Sequence, residues 1–99
     1  MNKIDAKENK ERLINNLTDM LPVLRAAIGI SQGEIAGYIG ISRQTYCAME
    51  QKKRMMSWNT FLSLVLFFYA NDSSQKVLKS REEFLDRVYR FLKYPQPEK

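Results

Sequence analysis

Four of the seven serines of this chain each stand directly ahead of a stretch that can close into a helix: Ser31, Ser42, Ser57 and Ser80. A serine oxygen there accepts a hydrogen bond from a backbone N–H two or three residues on, which satisfies one of the donors a helix leaves orphaned at its start. Ser31 and Ser80 also have Glu34 and Glu83 three positions later, the reciprocal pattern of a capping box. Gly29 and Gly40 follow segments that must stop, because glycine takes the left-handed conformation that closes a helix. A succession of capped helices is therefore expected. Helix 2 covers about Gln32 to Ile39 and helix 3 about Arg43 to Gln51. A fourth runs from Trp58 to about Ala70, and a fifth, headed by Ser80, ends near Tyr94.

The apolar spacing supplies the first helix. Leu13, Leu17, Met20, Leu21, Leu24 and Ile28 recur at steps of three and four, so they share one helical face. Pro22 falls inside it, removing a backbone donor and crowding the carbonyl of Thr18, which predicts a kink near 18–21 or a fresh start capped by Asp19. Periodicity alone leaves Phe61 to Tyr69 open to either strand or helix; the Ser57 cap and the helical neighbours favour helix. Asn71-Asp72-Ser73-Ser74 has the composition of a loop. Phe84, Leu85, Val88, Tyr89, Phe91 and Leu92 give the final helix an apolar stripe that suits either closure of the monomer core or a two-fold interface. The expected organisation is a polar N-terminal arm over 1–12, either solvated or a frayed helix start, one all-helical domain over 13–94, and a disordered tail over 95–99 that begins with Pro95.

Residue inventory narrows the chemistry. Ninety-nine residues suffice for one domain and argue against a two-domain enzyme. With no histidine and one cysteine, the chain offers neither a zinc set nor a Ser-His or Cys-His nucleophile, and no pair of carboxylates marks a cleft. No catalytic residue, metal site or cofactor is assigned. Cys47 reads as a small packing residue in a reducing, cytoplasmic setting. The N-terminus is mixed in charge where a signal peptide needs an apolar core, and Phe61 to Ala70 is about half of the ~20 residues of a membrane span. Neither a membrane nor a small-molecule ligand is expected as a partner.

The net charge of +5 is unevenly placed. Residues 21–60 hold Arg25, Arg43, Lys52, Lys53 and Arg54 against Glu34 and Glu50, an excess of +3, whereas residues 1–20 hold four charges of each sign. In two short helices crossing through a tight turn, Ala36 is the small residue the crossing needs, and Gly40 tolerates the positive φ of the turn. Ile35, Ile39, Ile41, Tyr46 and Met49 then point inward. Arg43, Gln44, Cys47 and Ala48 are left on the outer face of helix 3, with the long polar pair at its N-terminal end. Lys52, Lys53 and Arg54, with Asn59 at the start of helix 4, suit a phosphate clamp.

Leu24-Arg25, Gly29-Ile30-Ser31-Gln32, Glu34-Ile35-Ala36, Gly40-Ile41-Ser42-Arg43-Gln44-Thr45 and Met49-Glu50 together resemble the phage-repressor-type helix-turn-helix regulators, the XRE family, over about residues 21–70. The resemblance implies a compact five-helix DNA-binding domain, followed to its end by the C-terminal amphipathic helix, with helix 3 in the major groove of double-stranded DNA and two copies on a near-palindromic operator. Carried over by position, it places base contacts on Arg43, Gln44 and Ala48, with Cys47 beside them, and a phosphate contact on Gln32. Arg25 and Glu50 fall on positions that often form a structural ion pair. Two positions depart from the family pattern: Lys52 replaces a common glycine, so helix 3 must be capped differently or run longer, and Tyr46 replaces an aliphatic residue, so its hydroxyl needs a partner or solvent. The function expected is a sequence-specific transcriptional regulator, homodimeric and not an enzyme. The alternative is a protein-interaction or antitoxin-like module that uses the apolar surface of helices 4 and 5.

Overall fold

Among the described residues six helices follow one another, not the five expected: α1 Lys3–Ile28, α2 Gln32–Ile39, α3 Arg43–Glu50, α4 Trp58–Ala70, α5 Asp72–Ser80 and α6 Phe84–Leu92. The computed structural model describes residues 3–81 and 83–95, with side chains from residue 9 onward. Residues 1, 2 and 96–99, where the expected arm starts and the expected tail ends, lie outside the described residues.

The additional helix is α5, over residues read as loop. Its polar first turn closes the end of the preceding helix. Asn71 Nδ2 donates to the Phe67 carbonyl (2.8 Å), Ser74 Oγ to that of Phe68 (2.6 Å) and Gln75 Nε2 to that of Tyr69 (3.0 Å). Those carbonyls have no partner within α4, so side chains with loop-like composition act as its C-terminal cap. Leu78, one turn further on, is fully buried.

The helix ends differ from expectation in two places. Backbone 3–12, expected as a solvated arm or a frayed helix start, is helical and forms the first part of α1. The sequence there is rich in helix formers, with Lys7 and Glu11, and Glu8 and Arg12, at the i,i+4 spacing that favours opposite charges. The Ser80 capping box does not form: Ser80 Oγ donates backward to the Val77 carbonyl (2.8 Å), and α6 starts instead after Glu83, which adopts φ 57°. At Pro22 the helical assignment of α1 is unbroken, Pro22 faces outward, and Asp19 lies within the helix instead of starting a new one.

Leu13, Ile14, Leu17, Met20, Leu21 and Leu24 make α1 the spine of the core, against which α3, α4, α5 and α6 pack. α4 contributes Phe61, Leu64, Val65 and Phe68, a helical spacing. α6 turns Phe84 and Val88 inward and leaves Tyr89 and Leu92 exposed, so one side of its stripe closes the monomer and the other remains open. Trp58 joins three helices: it stacks on Phe61 (4.7 Å between centroids), meets the edge of Phe91 of α6 (5.1 Å) and lies under Lys10 of α1 (5.3 Å). Among the described residues no helix is long and apolar enough to cross a membrane.

Candidate nucleic-acid interface

Two serine caps and one left-handed glycine shape the region from Ser31 to Glu50. Ser31 Oγ accepts from Glu34 N (3.1 Å), and Glu34 Oε1 accepts from Ser31 N (3.0 Å), the complete capping box. These bonds hold the Glu34 carboxyl below its ordinary pKa. Gly40 takes φ 80°, and Ile41 N returns to the Ala36 carbonyl (3.0 Å), ending α2 and aiming the chain at Ser42. Ser42 Oγ then accepts from Thr45 N (3.0 Å) to start α3.

α3 buries Tyr46 and Met49, while Ile35 and Ala36 of α2 are buried beside it. Arg43 and Gln44 are exposed at its N-terminal end, and Cys47 and Ala48 are half-buried further along. The stem of Arg43 runs across the start of α2: a Cβ on Gly33 would lie 3.5 Å from Arg43 Cδ. Arg43, Gly33, Gln32, Ser31 and Arg25 line one shallow, open hollow. Gly33 is therefore part of the site, a role that the sequence did not single out.

Behind this rim lies a chain of polar contacts. Arg25 and Glu50 form a two-pronged ion pair, Nε to Oε2 at 2.9 Å and Nη2 to Oε1 at 2.7 Å, and Arg25 Nη1 also donates to the Ile30 carbonyl (3.3 Å). Gln32 Nε2 donates to Glu50 (3.4 Å), and Cys47 Sγ donates to Gln32 Oε1 (3.1 Å). The side chains of Gln32 and Cys47, expected at phosphate and base respectively, are thus engaged with each other. Burial pushes the Glu50 carboxyl upward, but the hydrogen bonds and charge of Arg25 and the other polar neighbours outweigh it and hold it below the ordinary range. The hydrogen bond to Glu50 raises Arg25 above its already high value, against a smaller opposing effect of burial.

Tyr46 is the departure with a structural consequence. Its side chain is 0% exposed, and its hydroxyl has no hydrogen bond of good geometry, although it lies within electrostatic reach of Glu50 and Arg25. Burial, reinforced by the Glu50 carboxylate, drives its pKa far above the ordinary tyrosine value.

The second departure is resolved by backbone geometry. Lys52 adopts φ 64°; its N–H bonds the Met49 carbonyl (3.0 Å) and that of Lys53 the Ala48 carbonyl (2.9 Å), a Schellman closure with lysine in the place of glycine. Lys52 Nζ pairs with Asp19 of α1 at 2.5 Å, both side chains well exposed. Lys53, Arg54 and Asn59 are exposed without a charged partner among the described residues. Ser57 Oγ caps α4 through Thr60 N (3.1 Å), leaving Asn59 in its first turn.

The chain matches no protein-family profile, no curated protein sequence and no solved structure.

Proposed function

We propose that the protein is a sequence-specific double-stranded DNA-binding transcriptional regulator that inserts the N-terminal end of α3 into the major groove. The observation that carries this reading is the joint exposure of Arg43 and Gln44 on the first turn of a short capped helix, with the Arg43 stem supported by Gly33. Arginine pairs with guanine O6 and N7, glutamine with adenine N6 and N7, and each such pair discriminates against a wrong base by about 1–3 kcal/mol. Ala48 would contact a thymine methyl, and Cys47 would stand at the edge of the contact zone. The backbone of Gln32 at the α2 start, together with Lys53, Arg54, Asn59 and a Lys52 released from its exposed Asp19 pair, would hold phosphates.

Two copies on an inverted repeat require a self-complementary apolar patch. Tyr38 (75% exposed) and Leu66 (70% exposed) offer one, and Tyr38 rests on Phe67 at 5.2 Å. The same patch favours a second reading, a protein-interaction module of antitoxin type that contacts a different chain. Selection of bound duplexes from a random library, followed by mobility shifts at two salt concentrations and light scattering of the free protein, tests both. A consensus with two half-sites and a dimer supports the regulator. A monomer that enriches no sequence and shows no affinity for duplex at low salt supports the second reading.

A further inference from the structure

Away from α3, the N-terminal half of α1 and the end of α6 border a half-open cavity of about 280 Å³ lined by Asn9, Arg12, Leu13, Arg87, Arg90 and Phe91. Among the described residues that line it, three are arginines and none is acidic. Among the described residues none of these arginines forms an ion pair. Glu83 and Asp86, the described acidic residues of the α6 region, line a separate hollow that shares only Arg90 with this cavity. Arg90 spends its Nε on the Asp86 backbone carbonyl (3.4 Å). The Nε of Arg87 is buried and has no hydrogen-bond partner.

A folded chain rarely leaves a buried guanidinium N–H without a partner, since that costs free energy a ligand of opposite charge recovers; Arg12 and Arg90 are exposed and reach the same cavity. Guanidinium groups are planar forks matched to tetrahedral and carboxylate oxyanions, and several around one site favour a group with more than one negative charge. The remaining walls are apolar: Leu13 is part of the core, and Phe91 is the ring whose edge meets Trp58. The volume lies just under the usual range for small-ligand clefts, about 300–1,000 Å³, so it admits a compact molecule.

We infer that the Arg12, Arg87 and Arg90 cavity binds a phosphoryl oxyanion carried on a small molecule with a ring or short apolar body, the oxygens on the guanidiniums and the body against Leu13 and Phe91. This site is separate from the α3 surface, and its test does not depend on the DNA-binding reading.

Calorimetric titration of the full chain with phenyl phosphate, inorganic phosphate and phenol at constant ionic strength tests it. Phenyl phosphate binds, and phenol does not. Arg12→Gln and Arg87→Gln each weaken phenyl phosphate by about tenfold or more, the loss expected for one charge-assisted contact, while Arg43→Gln leaves it unchanged. Arg12 is exposed, so Arg12→Gln keeps the test open if Arg87→Gln impairs folding, which thermal melts of each variant reveal. Equal affinities in all three variants, or no heat beyond that of phenol, overturn the inference. Competition with duplex DNA then assigns the source of the phosphoryl group. Displacement of phenyl phosphate, together with weaker duplex binding by Arg12→Gln, places a nucleic-acid backbone in the cavity; undiminished duplex binding places a free phosphate ester there. The second result supports the small-molecule site, and the first overturns it.

Discussion

Arg25 and Glu50 meet through two parallel contacts of 2.9 and 2.7 Å although 25 positions separate them in the chain. The pair fastens the end of α1 to the last turn of α3. Removing one partner strands the other, half-buried, against apolar neighbours. Glu50→Ala is expected to lower unfolding stability by about 3 kcal/mol, the low end for a broken buried pair because Arg25 keeps some solvent contact. Replacing both with methionine should recover most of the loss. Urea denaturation decides: a Glu50→Ala midpoint equal to that of the parent would mean that the pair holds nothing.

Acid sensitivity follows from the same carboxylate. Glu50 titrates below its ordinary value in the folded chain, so as pH falls the unfolded chain takes up the proton first. The contribution to stability is therefore complete above the ordinary glutamate pKa of about 4.3 and is lost as pH falls from there through the depressed folded value. Glu34 acts in the same direction. Glu50→Gln should flatten the decline in stability between about pH 5 and pH 3. Parallel acid limbs for the two proteins would assign the decline to other groups.

Tyr46→Phe removes a buried hydroxyl that has no hydrogen bond. An unsatisfied buried polar group costs about 1–3 kcal/mol, so the variant is expected to be more stable by about 1 kcal/mol. A thermal midpoint that drops instead would show that the hydroxyl is bonded to the Arg25 and Glu50 pair.

Lys52 holds a left-handed conformation that glycine adopts more readily. Lys52→Gly and Lys52→Ala both lose the exposed pair with Asp19, and only the glycine variant relieves the backbone. Lys52→Gly should exceed Lys52→Ala in stability by about 1 kcal/mol. Equal stabilities would place the strain elsewhere in the turn.

On the proposed DNA surface, Arg43→Ala should relax preference at one base position. Lys53→Ala should weaken all duplexes alike and reduce the salt dependence by about one unit. Binding curves for matched and mismatched duplexes over a salt series separate the two effects, and the roles assigned here are wrong if both variants lose specificity equally.

What could be read from the sequence was what short-range chemistry determines. Ser31, Ser42 and Ser57 each bond an N–H three residues away, and those helix starts lie where the caps place them. Gly40 needs only its own φ. The features that escaped depend on partners elsewhere. Asn71, Ser74 and Gln75 read as loop residues until the α4 carbonyls they satisfy are in view. Ser80 and Glu83 have the spacing of a cap, but the backbone turns left-handed at Glu83 and the serine bonds backward. Asp19 lies on α1 and Lys52 in the turn that closes α3, far apart in the chain, and Gly33 joins the candidate site only because Arg43 crosses it. The arginines at 12, 87 and 90 share a cavity only once α6 lies along α1.

The single indole of the chain is also its built-in optical reporter. Trp58 touches an aromatic ring that walls the arginine cavity and lies under a cation from the first helix. Its emission should therefore respond both when the last helix peels away and when an anion enters beside Phe91, so the two events can be followed in unlabelled protein.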